Sequence, residues 1–374
     1  MTNSPDPRPG HRLDPYDAVL LVSFGGPERT EQVMPFLRRV TSGRGIPDDR
    51  LAEVAEHYYL FGGRSPINDQ NRALLAAMQA ELARRGLTGP ELTWGNRNSE
   101  PLLDRVLPQL ADRGHRRILT LTTSGYPSYS SCRQYRENLY DALQGVAPSI
   151  RAEMVVDRIR SYATHPGFVE AWIDRVREAL DRLADPSARV VFVTHSIPDA
   201  MAEGAGPEGD GYRRWHRQVA WSILTGLSDR LADQARAGVD LAYCSRSGAP
   251  GQPWLEPDIN DRLTTLHGSG VSAIVLVPIG FISDHLEVIY DLDTEARATA
   301  DRLGLAMERA RGISDHPVFV QLLVDLLEER AALARAEPVD QPVIPDGAVG
   351  RVICPAGCCP NLGQPGRGAL CQTA

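Results

Sequence analysis

The feature that most constrains this chain is the apolar run at 273–279, AIVLVPI. Continuous hydrophobic runs mark strands buried on both faces, and such strands belong to parallel sheets covered by helices. Gly280 ends the run, and FISDHLEVIYDLDTE follows. Ser283 suits a helix N-cap and Asp284 the positive first turn, so a helix is expected from there. In it Glu287, Asp291 and Glu295 are spaced i, i+4, i+8 and share one face. On an arbitrary helix such a row is a solvated acidic face. Here it begins at the C-terminal end of a buried strand, where open α/β sheets place their ligands.

Runs of the same kind recur along the chain. AVLLV at 18–22 ends in SFGGP, RILTLT at 117–122 in the polar loop TSGYPSYSSC, and VVFV at 190–193 in THSIP. Short strands are expected at 92–94 and 241–243. Helical periodicity lies between, at 33–40, 51–59, 68–85, 102–111, 166–184, 212–236, 257–268 and 316–335. This alternation predicts an α/β fold of two Rossmann-like parallel-sheet domains facing a cleft. The expected divisions are a disordered leader at 1–14, domains at 15–160 and 161–337, and a Cys-rich tail at 338–374 docking on the N-terminal domain. Gly25-Gly26-Pro27 is no dinucleotide fingerprint, because Pro removes a needed N–H. Net charge is −8, which argues against nucleic acid as a partner. No apolar run is long enough to span a bilayer, and the N-terminus lacks a signal-peptide h-region. A cytoplasmic protein is expected.

His195 stands directly after the strand at 190–193, as Glu287 stands after the run at 273–279. A lone His at a strand end is commonly structural. If both strand ends open on one cleft, imidazole and carboxylate together can hold a divalent metal or relay protons. Of six cysteines, Cys132, Cys244 and Cys371 stand alone and Cys354, Cys358 and Cys359 cluster. In a cytosolic chain, clustered cysteines point to metal or redox chemistry rather than disulfides.

The strings VSFGGP at 22–27, GGRSP at 62–66, WGNRN at 94–98, THSIP at 194–198 and GFISDHLEVIYD at 280–291 occur in an order that resembles the ferrochelatases. The resemblance implies insertion of Fe2+ into a porphyrin with release of two pyrrole protons. It implies that His195 and Glu287 are the catalytic pair and bind metal, with Asp291 and Glu295 as the acidic ladder behind them. Ser65, Tyr135, Tyr58 and Phe24 match porphyrin-contacting positions. Phe24 stands where some relatives carry a Tyr that ligates iron, so it is expected only to cover the macrocycle. The cysteines resemble a subgroup with a 2Fe–2S cluster held by one internal and three C-terminal thiolates. Here these are Cys132 with Cys354, Cys358 and Cys359, and Cys371 is an alternative ligand. Cys244 is expected to be a buried structural thiol. An Arg-rich, Lys-poor composition and the CCP tail look actinobacterial, which favours coproporphyrin III over protoporphyrin IX. The resemblance also implies transient contact with neighbouring haem-pathway enzymes. The alternatives are a protoporphyrin IX ferrochelatase, a cobalt or nickel chelatase of tetrapyrroles, and an iron–sulfur sensor on a chelatase scaffold.

Overall fold

A computed structural model describes residues 12–43, 45–248 and 251–372; most of the expected leader, 1–11, lies outside them. Among the described residues eight strands form two four-stranded parallel sheets. The first contains β1 (Ala18–Ser23), β2 (Glu91–Asn96), β3 (Arg117–Thr122) and β4 (Val155–Arg158), in the order β2-β1-β3-β4. The second contains β5 (Arg189–His195), β6 (Leu241–Cys244), β7 (Ala273–Val277) and β8 (Ala306–Arg309), in the order β6-β5-β7-β8. The two sheets thus share one topology. Every residue of β1 and β7 is buried, as their unbroken apolar runs require.

That topology places the site. The strand order reverses at β1 and β3 in one sheet and at β5 and β7 in the other. Side chains beyond the C-terminal ends of strands at such a switch point line a crevice. The four polar segments that follow these strands therefore lie where ligands bind.

Helix Pro317–Ala334 packs on Ile67–Arg84 from the first half and on Pro166–Leu183 from the second. Arg85 reinforces the first contact through Glu328 at 2.8 Å. Among the described residues after 337 there is no helix or named strand, so their carbonyls need outside donors. Buried arginines supply them. Arg160 donates to Pro342 O at 3.1 Å, Arg133 to Ala356 O at 2.7 Å, and Arg158 to Val352 O at 3.1 Å.

Several elements differ from the sequence reading. β4 and β8 were not expected: each has only four residues, and charged side chains break their apolar pattern. The helix expected at 212–236 is two, Gly211–Gly226 and Ser228–Ala237. The helix expected to start at Ser283 starts at Leu286, with His285 as N-cap and no side-chain cap bond. Tertiary contacts replace the cap. The Gln70 amide brackets Asp284, donating to its carbonyl at 3.1 Å and accepting from its N–H at 2.9 Å. The Asp284 carboxylate pairs with Arg309 at 2.7 Å.

Candidate active site

A cleft of about 300 Å³ opens between the two halves. After β1 comes Phe24, after β3 the segment 123–135, after β5 Ser196, and beyond β7 the segment 280–287. His195 is the last residue of β5 rather than the first after it. Its Nε2 lies 3.7 Å from Glu287 Oε2, with 33% and 41% of the two side chains exposed. Both groups are thus reachable from the cleft. Gly280 makes this approach possible, since a Cβ there would strike the side chain of Thr194. His195 Nδ1 contacts the carbonyl of Ser196, which leaves Nε2 facing Glu287.

The cleft also gathers Phe24, Tyr58, Ser65 and Tyr135. Tyr58 packs with Phe36 and with Leu286 of the other half. Burial, then the charges of Glu287 and Asp291, push the Tyr58 hydroxyl well above its ordinary range. Asp291 and Glu295 do not line the cleft. They continue from Glu287 along the π-helical segment Ile289–Ala296, a wide turn type often found at functional sites. Val288 just before this segment and Leu292 and Ala296 within it are fully buried, so the acidic row runs beside the buried face, Asp291 half-buried and Glu295 at the surface. Asp291 accepts a hydrogen bond from Ser245. Burial pushes its carboxyl up to about 6, opposed by that bond and assisted by the Glu287 charge. Glu295 is exposed.

Sequence reasoning missed three contributors. Arg97 lies over the Tyr135 ring at 4.6 Å and the Phe24 ring at 5.5 Å, placing a cation in the cleft wall. Its position inside WGNRN was the available signal. Gln70 clamps the loop before Glu287, and Tyr212 bonds the His195 carbonyl. Neither carries a local signal, because each acts across the fold.

A second constellation lies apart from the cleft. Cys132, Cys354, Cys358 and Cys359 form one buried cluster. Cys132 sits in the π-helical turn Tyr129–Arg133, between cleft residues Ser131 and Gln134. Cys358 and Cys359 bring their sulfurs to 3.8 Å although adjacent in sequence. Cys359 has φ +53°, a left-handed conformation costly for an L-residue. The Gly206 N–H donates to Cys359 Sγ at 3.1 Å. Cys371 is turned elsewhere, its sulfur 3.4 Å from the Val156 carbonyl. Cys244 is buried, and burial raises its thiol pKa well above the ordinary range.

Comparison with known proteins decides the family. The ferrochelatase family model matches residues 16–331. The chain belongs to the ferrochelatase family. A curated relative from Streptomyces griseus, named coproporphyrin III ferrochelatase, is 48% identical over 92% of this chain and 94% of its own length. One of the same name from Streptomyces coelicolor is 49% identical with the same coverage. Among solved structures, SirB from Bacillus subtilis with Fe3+ aligns with a TM-score of 0.50 at 13% identity, covering 85% of this chain and 97% of that one. That likeness concerns the fold alone. The two sheets of this ferrochelatase thus share the architecture of that chelatase. Among the described residues no helix is long and apolar enough to cross a membrane.

Proposed function

We propose that this chain is a cytoplasmic coproporphyrin III ferrochelatase that inserts Fe2+ to give coprohaem and releases two protons. The observation that carries the reading is the His195–Glu287 pair, 3.7 Å apart and accessible within a cleft walled by both halves. The names of the curated relatives support the substrate. Phe24 and Tyr58 offer apolar and aromatic surface to a flat macrocycle, and Ser65 and Tyr135 offer hydroxyls. Arg97 offers positive charge to a propionate, which suits a tetracarboxylate. His195 and Glu287 take the metal from one side and accept the pyrrole protons, since an imidazole and a carboxylate serve both tasks. Asp291 and Glu295 continue the carboxylate row away from the cleft, a path along which a hydrated cation or a proton moves in short steps. In this reading 15–160 and 161–337 are the domains that close on the porphyrin.

The four clustered cysteines fit a 2Fe–2S cluster. Four buried sulfurs converge, backbone and guanidinium N–H groups aim at them, and the adjacent Cys358 and Cys359 both turn their sulfurs into the group. Bound there, the group supplies a four-thiolate staple and one-electron chemistry. Inserting iron(II) transfers no net electron, so the residues of the cleft carry the reaction without it. The staple ties the 338–374 tail to Cys132.

The test is anaerobic iron(II) insertion into coproporphyrin III and protoporphyrin IX side by side. A higher kcat/KM for coproporphyrin III is expected. Preference for protoporphyrin IX would overturn the substrate, and failure with both would overturn the activity.

A further inference from the structure

Four arginines are buried beneath the tail: Arg133, Arg136, Arg158 and Arg160. Two are neutralised by carboxylates. Arg133 pairs with Glu137 at 3.0 Å, and Arg160 with Glu329 at 2.9 Å. The other two have no salt bridge to a carboxylate among the described residues. Arg158, at the end of β4, points Nη1 at Cys132 Sγ at 3.2 Å and Nη2 at Cys354 Sγ at 3.1 Å. Its remaining contacts are the carbonyls of Val352 and Arg351. Arg136 lies one helical turn beyond Cys132 and is 1% exposed. Its Nη1 donates to the carbonyls of Leu370 at 3.2 Å and Cys371 at 3.3 Å. Its Nε and Nη2 are buried with no hydrogen-bond partner among the described residues. A buried cation without a counter-charge is costly, so its retention argues for an anion beside it. The Arg136 charge acts on both Cys132 and Cys358.

We propose that Arg158 and Arg136 form a cationic floor beneath the thiol cluster, neutralising the group the sulfurs hold and raising its reduction potential. The inference rests on the reading of those thiols as ligands of a 2Fe–2S cluster. With four thiolates that group carries two negative charges when oxidised and three when reduced. Reduction adds one electron to the iron pair and breaks no bond. Two fixed positive charges favour the more anionic, reduced form, and net charge and hydrogen bonds to sulfur are among the factors that set such potentials. Arg158 also fixes Cys132 to Cys354 across the junction of sheet and tail, so it is a positioning residue as well as a charge.

The experiment is a dithionite titration of the purified holoprotein with redox dyes, following thiolate-to-iron absorption, for wild type, Arg158→Gln, Arg158→Lys and Arg136→Gln. Iron content per chain is measured on each. Each Gln variant is expected to lower the equilibrium constant for reduction at least about tenfold, which is about 59 mV for a one-electron couple. Arg158→Lys, which keeps the charge, is expected to recover most of the loss. If Arg158→Gln purifies without iron, Arg136→Gln decides, because it leaves both Arg158–sulfur contacts in place. Iron-loaded Gln variants with the wild-type potential would overturn the cationic floor and leave the cluster standing. Iron-free, colourless wild-type protein from anaerobic, iron-replete expression would instead overturn the cluster and the floor with it.

Discussion

The hydroxyl of Tyr212 donates a 2.9 Å hydrogen bond to the backbone carbonyl of His195. The Thr194 hydroxyl lies 2.9 Å from both the Tyr212 hydroxyl and His216 Nε2. A buried network from helix Gly211–Gly226 thus holds the last turn of β5, and with it the angle at which His195 enters the cleft. Tyr212→Phe keeps the ring and removes the bond. It should cost about 1–3 kcal/mol of stability, the usual range for an unpaired buried acceptor. It should also lower kcat for iron insertion severalfold, since His195 is left less well aimed. Thermal unfolding with anaerobic kinetics checks both, and a variant with wild-type kcat would show that the network is only structural.

His195→Ala and Glu287→Gln each remove one member of the accessible pair without touching the core. Each should reduce metal insertion by about 10²–10⁴-fold, the span for loss of a proton-handling group, with an unchanged circular-dichroism spectrum. Asp291→Asn and Glu295→Gln should slow turnover less, because neither lines the cleft and Glu295 is exposed. A variant of either pair member that retains wild-type turnover would remove that residue from the mechanism.

What was legible in the sequence follows what is locally encoded. The runs at 18–22 and 273–279 are apolar on both faces, so burial and parallel pairing could be read from composition alone. His195 and Glu287 were legible because each stands close to the end of such a run. The strands β4 and β8 were not, since each has only four residues and charged side chains interrupt its apolar pattern. The start of the helix at Leu286 was misjudged for a related reason. Ser283 and Asp284 have the chemistry of a cap, but Gln70, more than two hundred positions away, takes their place. The thiol cluster was visible as residues but not as geometry. Only the shared burial of Cys132, Cys354, Cys358 and Cys359 and the direction of Cys371 separate the converging sulfurs from the outlying one.

Two histidines outside the cleft predict acid lability. Burial, opposed by the hydrogen bond to Tyr212 O, lowers the pKa of His216 to about 3. Burial, with the nearby Arg160 charge, lowers that of His165 to about 4. Unfolded, both titrate near pH ~6.5. Between that value and the folded one the unfolded chain binds more protons, so stability falls as pH falls. Above about pH 7 both states are deprotonated and the effect vanishes. His165 also caps helix Pro166–Leu183, its Nδ1 accepting from Gly167 N–H at 3.1 Å. His165→Asn keeps a capping acceptor and removes the titration. Denaturant unfolding at pH 5–6 should then show a pH slope smaller by up to about 1.4 kcal/mol per unit, with no change in slope above pH 7. An unaltered slope at pH 5–6 would rule out His165 as a source.

The cysteines provide the sharpest discrimination within the tail. Cys132 and Cys354 are held by one guanidinium, and Cys358 and Cys359 share the same buried cluster, whereas Cys371 faces the Val156 carbonyl. A staple between Cys132 and the tail closes a very long loop, which in a chain-entropy account stabilises by about 3–5 kcal/mol. Purified protein should be brown and carry two non-haem irons per chain. Cys132→Ser and Cys354→Ser should lose colour and thermal stability together, and so should Cys358→Ser and Cys359→Ser. Cys371→Ser and Cys244→Ser should keep both, because neither sulfur belongs to the converging group. Iron analysis, visible absorption and melting temperature on the six variants decide the ligand set. Loss of iron in Cys371→Ser with retention in Cys358→Ser or Cys359→Ser would reassign the fourth ligand.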